Sequence, residues 1–558
     1  MVYIQRTFMV PLRDGIQLAT DLYLPDTSGR WPLILFRTPY GRQYLPENPL
    51  YGSIDHWTDH GYAVCAQDIR GTGDSQGELG LGGDKEFNDG EDVLHFLAQQ
   101  DFCDGRIGMF GLSFPGFVQT AAATQAPEEL KAICPFMCPA LHPFGAQRPQ
   151  VLHLEHLLWT YGQLTSCPEK YLPNQEIRTR LLPSLEENAR HLTDFLLDLP
   201  ISRCRAAAYP EIGLLNQYRA SVAGIGSKEY WAQMHMPIDF TQVQAAMLFG
   251  TGWLDVAKEW TIESYCAARK VAHAPVRLII GPWAHDEHLQ NKINGADSST
   301  SACGDVHEVR GMMLRWFDHH IRGKDTEPFA QRVRFFMRGS NDWHDAAEWP
   351  PENAILRPFY LLPEGGLCET PAVQDQKMLY TADPYNPTPS TICDHAGRTL
   401  LADWSQISAR PDVLCFRSAV LDKSLCVAGT VHVSLFAQTD VPDTDFVCRV
   451  LDIDTEGHET ELCVGMVRAS LRHGGFQREW ICQNSIEHYV FTAGNLANCF
   501  LPGHRIGIQI CSFLFPSCDR NLHTTAPIGQ GSYGVSAHHQ IITGKSWPSA
   551  VYLPVLSD

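Results

Sequence analysis

The sequence predicts an α/β body, interrupted by a helical segment and followed by an all-β domain. Three observations carry this. Short apolar runs alternate with helix-period stretches over residues 1–125, and the same alternation returns near 246. Strand signals are few from about 140 to 240, where Leu, His, Arg and Glu dominate at helical spacing. Beyond about 330 the helix signal fades, and short alternating strands follow one another between Pro, Gly, Asp and Asn.

Residues 16–24 alternate with period two after the Asp14-Gly15 turn, as a half-buried hairpin strand does. Residues 32–36 and 62–67 are continuous apolar runs, the pattern of strands covered on both faces. A helix is expected over 91–98 and a strand over 107–110. Helical periodicity recurs at 153–159 and 177–182, within the inserted segment. Residues 246–250 and 276–281 then resume the buried-strand pattern, each ending in Gly. The C-terminal strands include 431–437 and 505–511, which suggests a β-sandwich of about 220 residues. The expected boundaries are 1–140 and 241–328 for the body, 141–240 for the helical segment and 329–558 for the β-domain.

With 558 residues the chain has ample length for a large core, and 44% hydrophobic with 19% charged residues is ordinary globular composition. A formal charge of −20 repels phosphate backbones and argues against nucleic-acid binding. No apolar run reaches the 18 or so residues that span a bilayer, so no membrane association is expected. The first residues lack the apolar core and cleavage site of a signal peptide, and the expected compartment is the cytoplasm. The 18 Cys are scattered without a Cys-x-x-Cys pair and are read as reduced, mostly buried thiols.

A serine hydroxyl becomes a nucleophile only with a base in reach, an acid to orient that base, and donors for the oxyanion. In Ile107-Gly-Met-Phe-Gly-Leu-Ser113-Phe-Pro-Gly116, a strand-like run precedes Ser113 and a small-residue helix follows. Gly111 lets the backbone pass close, and Pro115 suits a first helical turn. The spacing is Gly-x-Ser-x-x-Gly rather than the usual Gly-x-Ser-x-Gly of a nucleophile elbow. Asp255, after the strand at 246, is the candidate acid, and His285, after the strand at 276, is the candidate base. Taken singly, each has a structural reading: a Ser in a Gly-rich turn, a turn-forming Asp, a loop His. Their chain order, Ser113, Asp255, His285, each at a strand exit, is the order of an α/β-hydrolase.

Several segments resemble the CocE/NonD hydrolases, the family of cocaine esterase, α-amino-acid ester hydrolase and the X-Pro dipeptidyl-peptidases. They are Val10-Pro-Leu-Arg-Asp-Gly15, Arg37-Thr-Pro-Tyr40-Gly, Asp68-Ile-Arg-Gly-Thr-Gly-Asp-Ser-Gln-Gly77, Gly111-Leu-Ser-Phe-Pro-Gly116, Gly252-Trp-Leu-Asp255 and Gly281-Pro-Trp-Ala-His285. Met337-Arg-Gly-Ser-Asn-Asp-Trp, Asp440-Val-Pro-Asp-Thr-Asp-Phe, Pro502-Gly-His-Arg-Ile and Phe515-Pro-Ser-Cys-Asp-Arg-Asn-Leu extend the match through the C-terminal half. The resemblance implies an α/β-hydrolase fold with an inserted helical cap and a C-terminal all-β jelly-roll domain. It also implies that the Gly-x-Ser-x-x-Gly spacing is normal, and that Tyr40 and the backbone N–H of Phe114 form the oxyanion hole. Trp159 falls where cap tryptophans of the family wall the acyl pocket, and Trp253 is taken with it as a substrate contact. Asp68 would be structural through an Asp–Arg pair, with a triad role as its alternative. His153 and His156, three apart on one expected helix, have metal-like spacing but no evident third ligand, so no metal is expected.

These readings converge on a serine hydrolase that cleaves an ester or amide through an acyl-enzyme, without a cofactor. Its expected partner is a small-molecule substrate, and a homodimer is compatible with the β-domain. Acyl transfer to an amine or alcohol, X-Pro dipeptidyl-peptidase activity and a non-catalytic binding role remain alternatives. The dipeptidyl reading is weakened because those relatives bear extra N-terminal sequence.

Overall fold

The computed structural model describes residues 4–26, 29–47, 54–80, 84–138, 151–172, 174–230, 238–285, 292–293, 296–297, 306–390 and 403–557. The expected start of the helical segment at 141, and Cys303 and Cys393, lie outside these residues. The chain divides into two compact units: 1–147 with 232–336 and 342–348, and 148–231 with 337–341 and 349–558.

The first unit is built on a ten-stranded sheet. Its strands are β1 (Ile4–Pro11), β2 (Gln17–Leu24), β3 (Trp31–Thr38), β4 (Ala63–Asp68), β5 (Cys103–Leu112), β6 (Leu130–Phe136), β7 (Ala246–Leu254) and β8 (Val276–Ala284). The short pair β9 (Lys292–Ile293) and β10 (Ala296–Asp297) stands apart, and β11 (Val333–Met337) and β12 (Asp342–Ala346) complete the sheet. The strand order is β1-β2-β4-β3-β5-β6-β7-β8-β11-β12. β1, β2 and β4 run antiparallel to their neighbours on that edge, and β4-β3-β5-β6-β7-β8-β11 are parallel. The apolar runs read from sequence are the central strands; β3 and β4 are buried almost throughout, in a sheet whose later strands are joined by helices such as Asp84–Ala98, Phe114–Thr124, Lys258–Val271 and Val306–Arg322. The core beside Val306–Arg322 is aromatic: Trp57, Phe110, Trp316 and Phe317 pack together there. Each such burial contributes roughly 1.5–3 kcal/mol.

The strand order reverses at β3, since β4 lies on one side of it and β5 on the other. At such a reversal the connections leave in opposite directions and a crevice opens beyond the carboxyl ends. Tyr40 follows β3 and Ser113 follows β5, so both emerge beside that crevice.

The second unit combines the helical segment with the all-β domain. Its helices include Glu155–Ser166, Gln175–Arg190 and Gly213–Gly224. Its strands are β13 (Ala354–Leu361), β14 (Gly366–Cys368), β15 (Gln376–Ala382), β16 (Leu414–Ser418), β17 (Leu425–Thr439), β18 (Asp445–Ile453), β19 (Glu459–Arg468), β20 (Ile486–Phe500), β21 (Arg505–Cys511), β22 (Ala537–Thr543) and β23 (Ala550–Leu556). They form an eleven-stranded sheet with a core of alternating inward residues, such as Val431, Val433 and Leu435 of β17. The helical segment is tied to this domain by Val151, which shares an apolar cluster with Trp404 and Leu514, and by the Leu152 amide, which donates to Asp519 at 2.9 Å.

Two expectations are corrected. The reading of all cysteines as thiols fails at one pair: Cys426 and Cys499 are directly opposed in the antiparallel β17–β20 register and form a disulfide. They are 73 residues apart in sequence, so only strand pairing reveals them. His153 does not share a helix with His156, because the helix begins at Glu155 and His153 instead bridges Cys518 of the β-domain. Among the described residues no helix is long and apolar enough to cross a membrane.

Candidate active site

Ser113 sits between β5 and the helix Phe114–Thr124, at φ 66° and ψ −127°. A non-glycine residue held at positive φ is strained, and such strain concentrates at functional sites. The surroundings impose it. The Ser113 amide donates to the Phe136 carbonyl at 3.0 Å, and its own carbonyl accepts from the Gly116 and Phe117 amides at 2.8 and 3.1 Å. The unusual glycine spacing has a steric cause. A Cβ on Gly111 would stand 2.4 Å from that of Pro115, and one on Gly116 would stand 2.5 Å from that of Cys138. Gly116 thus lets the helix start press against the chain leaving β6.

Gln119, which sequence reasoning missed, braces the same turn. Its amide nitrogen donates to the Gly111 and Pro115 carbonyls at 3.2 and 3.0 Å, and its oxygen accepts from the Cys134 amide at 3.0 Å. The residue is fully buried, so every polar atom satisfied there avoids a desolvation cost of about 1–3 kcal/mol.

β7 and β8 are adjacent and parallel, with Leu254 paired to Ala284, so the next residues, Asp255 and His285, leave the sheet side by side. Two glycines permit the approach: a Cβ on Gly252 would fall 2.0 Å from the Trp283 carbonyl, and one on Gly281 would fall into the Trp283 indole. His285 Nδ1 lies 2.7 Å from Asp255 Oδ1. The carboxylate only accepts, so Nδ1 carries the proton and Nε2 presents a lone pair. The same Oδ1 accepts from the Ala257 amide at 3.0 Å, and Oδ2 accepts from the Thr251 hydroxyl at 2.6 Å. The Asp255 side chain is fully enclosed, whereas that of His285 is 16% exposed. The two residues therefore differ in access, an arrangement that suits an imidazole held by a buried carboxylate.

Tyr40 is half-buried, its amide accepted by the Thr38 hydroxyl at 3.0 Å, and Gly41 follows at φ 103°. Phe114 opens the helix after β5, where backbone amides point out along the axis. Trp159 is half-buried on the helix Glu155–Ser166 of the second unit. Trp253 is 3% exposed, and its indole N–H donates to the Phe336 carbonyl at 2.6 Å. Its indole nitrogen is thereby held by the chain itself. Asp68 is fully buried and accepts from the Arg42 amide and guanidinium at 2.7 and 2.5 Å. Gly73 packs onto its carboxylate so closely that a Cβ would overlap it. Asp68 therefore organises the Asp-x-Arg-Gly-x-Gly loop. His156 is buried, and desolvation pushes its pKa down to about 4, so it stays neutral at pH 7.

Comparison with known proteins identifies the family. Residues 14–287 match the X-Pro dipeptidyl-peptidase (S15 family) model, and 325–551 match the X-Pro dipeptidyl-peptidase C-terminal non-catalytic domain. The chain is 31% identical over 577 residues to a cocaine esterase from Rhodococcus sp., covering 98% of each chain. A putative serine esterase from Mycobacterium bovis is 24% identical over 82% of this chain and 80% of its own. Among solved structures, an aminopeptidase from a marine sediment archaeon of the Thaumarchaeota superposes with TM-score 0.82 at 22% identity, covering 100% of this chain and 97% of its own. An α-amino acid ester hydrolase gives TM-score 0.75 at 22% identity, covering 99% and 96%. These two share the fold. With a body that turns at Ser113 and a sheet that delivers Asp255 to His285, the chain belongs to the CocE/NonD group of the S15 family and is a serine hydrolase.

Proposed function

We propose that the protein hydrolyses carboxylic esters through an acyl-enzyme on Ser113, with His285 as base and Asp255 as its orienting acid. The observation that carries this is the 2.7 Å contact between His285 Nδ1 and Asp255, at strand ends of the same sheet as the strained Ser113. Ser113 Oγ attacks the ester carbonyl while His285 Nε2 takes its proton. Asp255, buried and bonded through both oxygens, keeps the imidazole in the tautomer that leaves Nε2 basic. The oxyanion of the tetrahedral intermediate is held by the Tyr40 hydroxyl and the Phe114 amide. The intermediate collapses, the alkoxide leaves with the proton from His285, and water then repeats the sequence to release the acid. Ester rather than peptide hydrolysis is favoured because the relative at 31% identity over 98% of the chain is an esterase by name.

A panel of p-nitrophenyl esters and aminoacyl or Gly-Pro p-nitroanilides, run beside Ser113→Ala, tests this. Ester turnover that vanishes in the variant is expected. Ester hydrolysis surviving the substitution overturns the assignment, and turnover confined to Gly-Pro anilides replaces it with dipeptidyl-peptidase activity.

A further inference from the structure

The last turn of the helix Val306–Arg322 carries adjacent histidines, His319 and His320, and Glu327 follows on the segment leading to β11. Their ligating atoms lie within 4.8 Å of one another, and all three residues are partly buried. His319 Nε2 stands 4.0 Å, and His320 Nε2 3.9 Å, from the same carboxylate oxygen, Glu327 Oε2.

Each group is prepared in a way that ordinary packing does not require. His319 Nδ1 is 2.9 Å from the Lys324 carbonyl. A carbonyl only accepts, so Nδ1 bears the proton and Nε2 is left with a lone pair, the arrangement by which metal-binding histidines are oriented. His320 Nε2 is buried with no hydrogen-bond partner, although interiors satisfy nearly all such atoms. Its ring is held edge-on to Trp316, with centroids 4.0 Å apart. Arg277 Nε faces the other carboxylate oxygen, Oε1, at 3.6 Å, longer than a hydrogen bond, and leaves Oε2 toward the two rings. Two other cations nearby are engaged elsewhere: Arg322 and Lys324 both pair with Asp318, at 3.0 and 2.9 Å.

We propose that His319, His320 and Glu327 bind a divalent transition-metal ion, zinc by the chemistry of its donors, with water in the fourth position. Two imidazoles and one carboxylate suit zinc, cobalt, nickel or copper rather than calcium or magnesium. Tetrahedral zinc with bonds near 2.0–2.2 Å sets its donors about 3.3 Å apart. Rotations that bring the 3.9 and 4.0 Å histidine–carboxylate separations inward by under 1 Å, and close the two ring nitrogens from no more than 4.8 Å, complete the site. A cation here also meets the negative end of the helix dipole. Bound, it clamps the helix end to the segment entering β11, which pairs with β8, the strand that presents His285. Its consequence is structural stabilisation of that side of the sheet.

The test uses the full-length protein, treated with chelator and then freed of it, titrated with zinc chloride by calorimetry. His319→Gln, His320→Gln and Glu327→Gln are titrated alongside. The wild type is expected to bind one zinc that each substitution weakens tenfold or more. Zinc is expected to raise the melting temperature of the wild type and not of the variants. Cobalt(II) is expected to give visible d–d bands that the variants lose. Absence of stoichiometric zinc binding, or zinc bound undiminished by the variants, overturns the proposal. If His320→Gln does not fold, the more exposed His319 and Glu327 variants carry the test.

Discussion

Thr251 donates its hydroxyl proton to Oδ2 of Asp255 at 2.6 Å, while His285 Nδ1 meets the other oxygen at 2.7 Å. The carboxylate is thus pinned from both sides in a fully buried position, and the imidazole inherits its orientation. Thr251 lies near the end of β7 and Asp255 directly follows the strand, four residues on. Replacing Thr251 with Val keeps the shape and removes the donor. A buried bond to a charged group is worth about 1.5–3 kcal/mol. Thr251→Val should lower kcat/KM by roughly tenfold or more and alter the acid limb of its pH profile, while Thr251→Ser retains most of the activity. Unchanged kinetics in the Val variant would remove Thr251 from the positioning of Asp255.

Tyr40 is the side-chain donor assigned to the oxyanion. Loss of one such donor costs about 10²–10³ in kcat. Tyr40→Phe should show that loss with little change in KM or melting temperature, measured on the best p-nitrophenyl ester. A kcat within twofold of wild type argues that Tyr40 does not touch the reacting oxygen.

Gly116 meets Cys138 where a Cβ would clash at 2.5 Å. Overpacking of this kind costs about 1–3 kcal/mol. Gly116→Ala should shift the urea midpoint accordingly and reduce activity by displacing Ser113. Because the clash is between two named atoms, Cys138→Gly in the same chain should recover much of both. Failure of the double variant to recover either places the strain elsewhere in the elbow.

His156 links stability to pH. Burial holds its folded pKa at about 4, below the ordinary imidazole value of 6.5. Between those values the unfolded chain binds the extra proton, so stability rises with pH there. The contribution of the neutral imidazole is fully present above pH 6.5 and is lost as pH falls toward 4, amounting to about 3 kcal/mol. His156→Leu removes this dependence, and the gap between its urea midpoint and that of wild type should change sharply between pH 6.5 and 4. A constant gap across that range contradicts the assignment.

The site was legible in sequence where chemistry and chain order coincide. Ser113, Asp255 and His285 each follow a strand, and strand exits on a parallel sheet converge on one edge. Gln119 and Thr251 were not legible, because a buried amide or hydroxyl is recognised by the groups it satisfies, and those lie on other strands and turns. Trp253, expected as a substrate contact, has its indole N–H held by the Phe336 carbonyl, a partner 83 residues away that only the fold supplies. His153 lies two residues before the helix that begins at Glu155, a boundary that periodicity does not mark. His319 and His320 were overlooked because adjacent residues on a helix rarely face one ligand, and Glu327 reaches them only through the fold.

By itself the sequence determined the alternation of strand and helix, the order of the three candidate catalytic side chains, and the turn at Ser113. Hydrophobic periodicity and glycine placement are local properties and are written along the chain. Only the tertiary structure decided the bracing by Gln119 and Thr251, the Cys426–Cys499 disulfide, and the grouping of the helical segment with the β-domain. Those depend on which distant residues the sheets bring into register, and register is settled by the collective burial of many side chains rather than by any one segment.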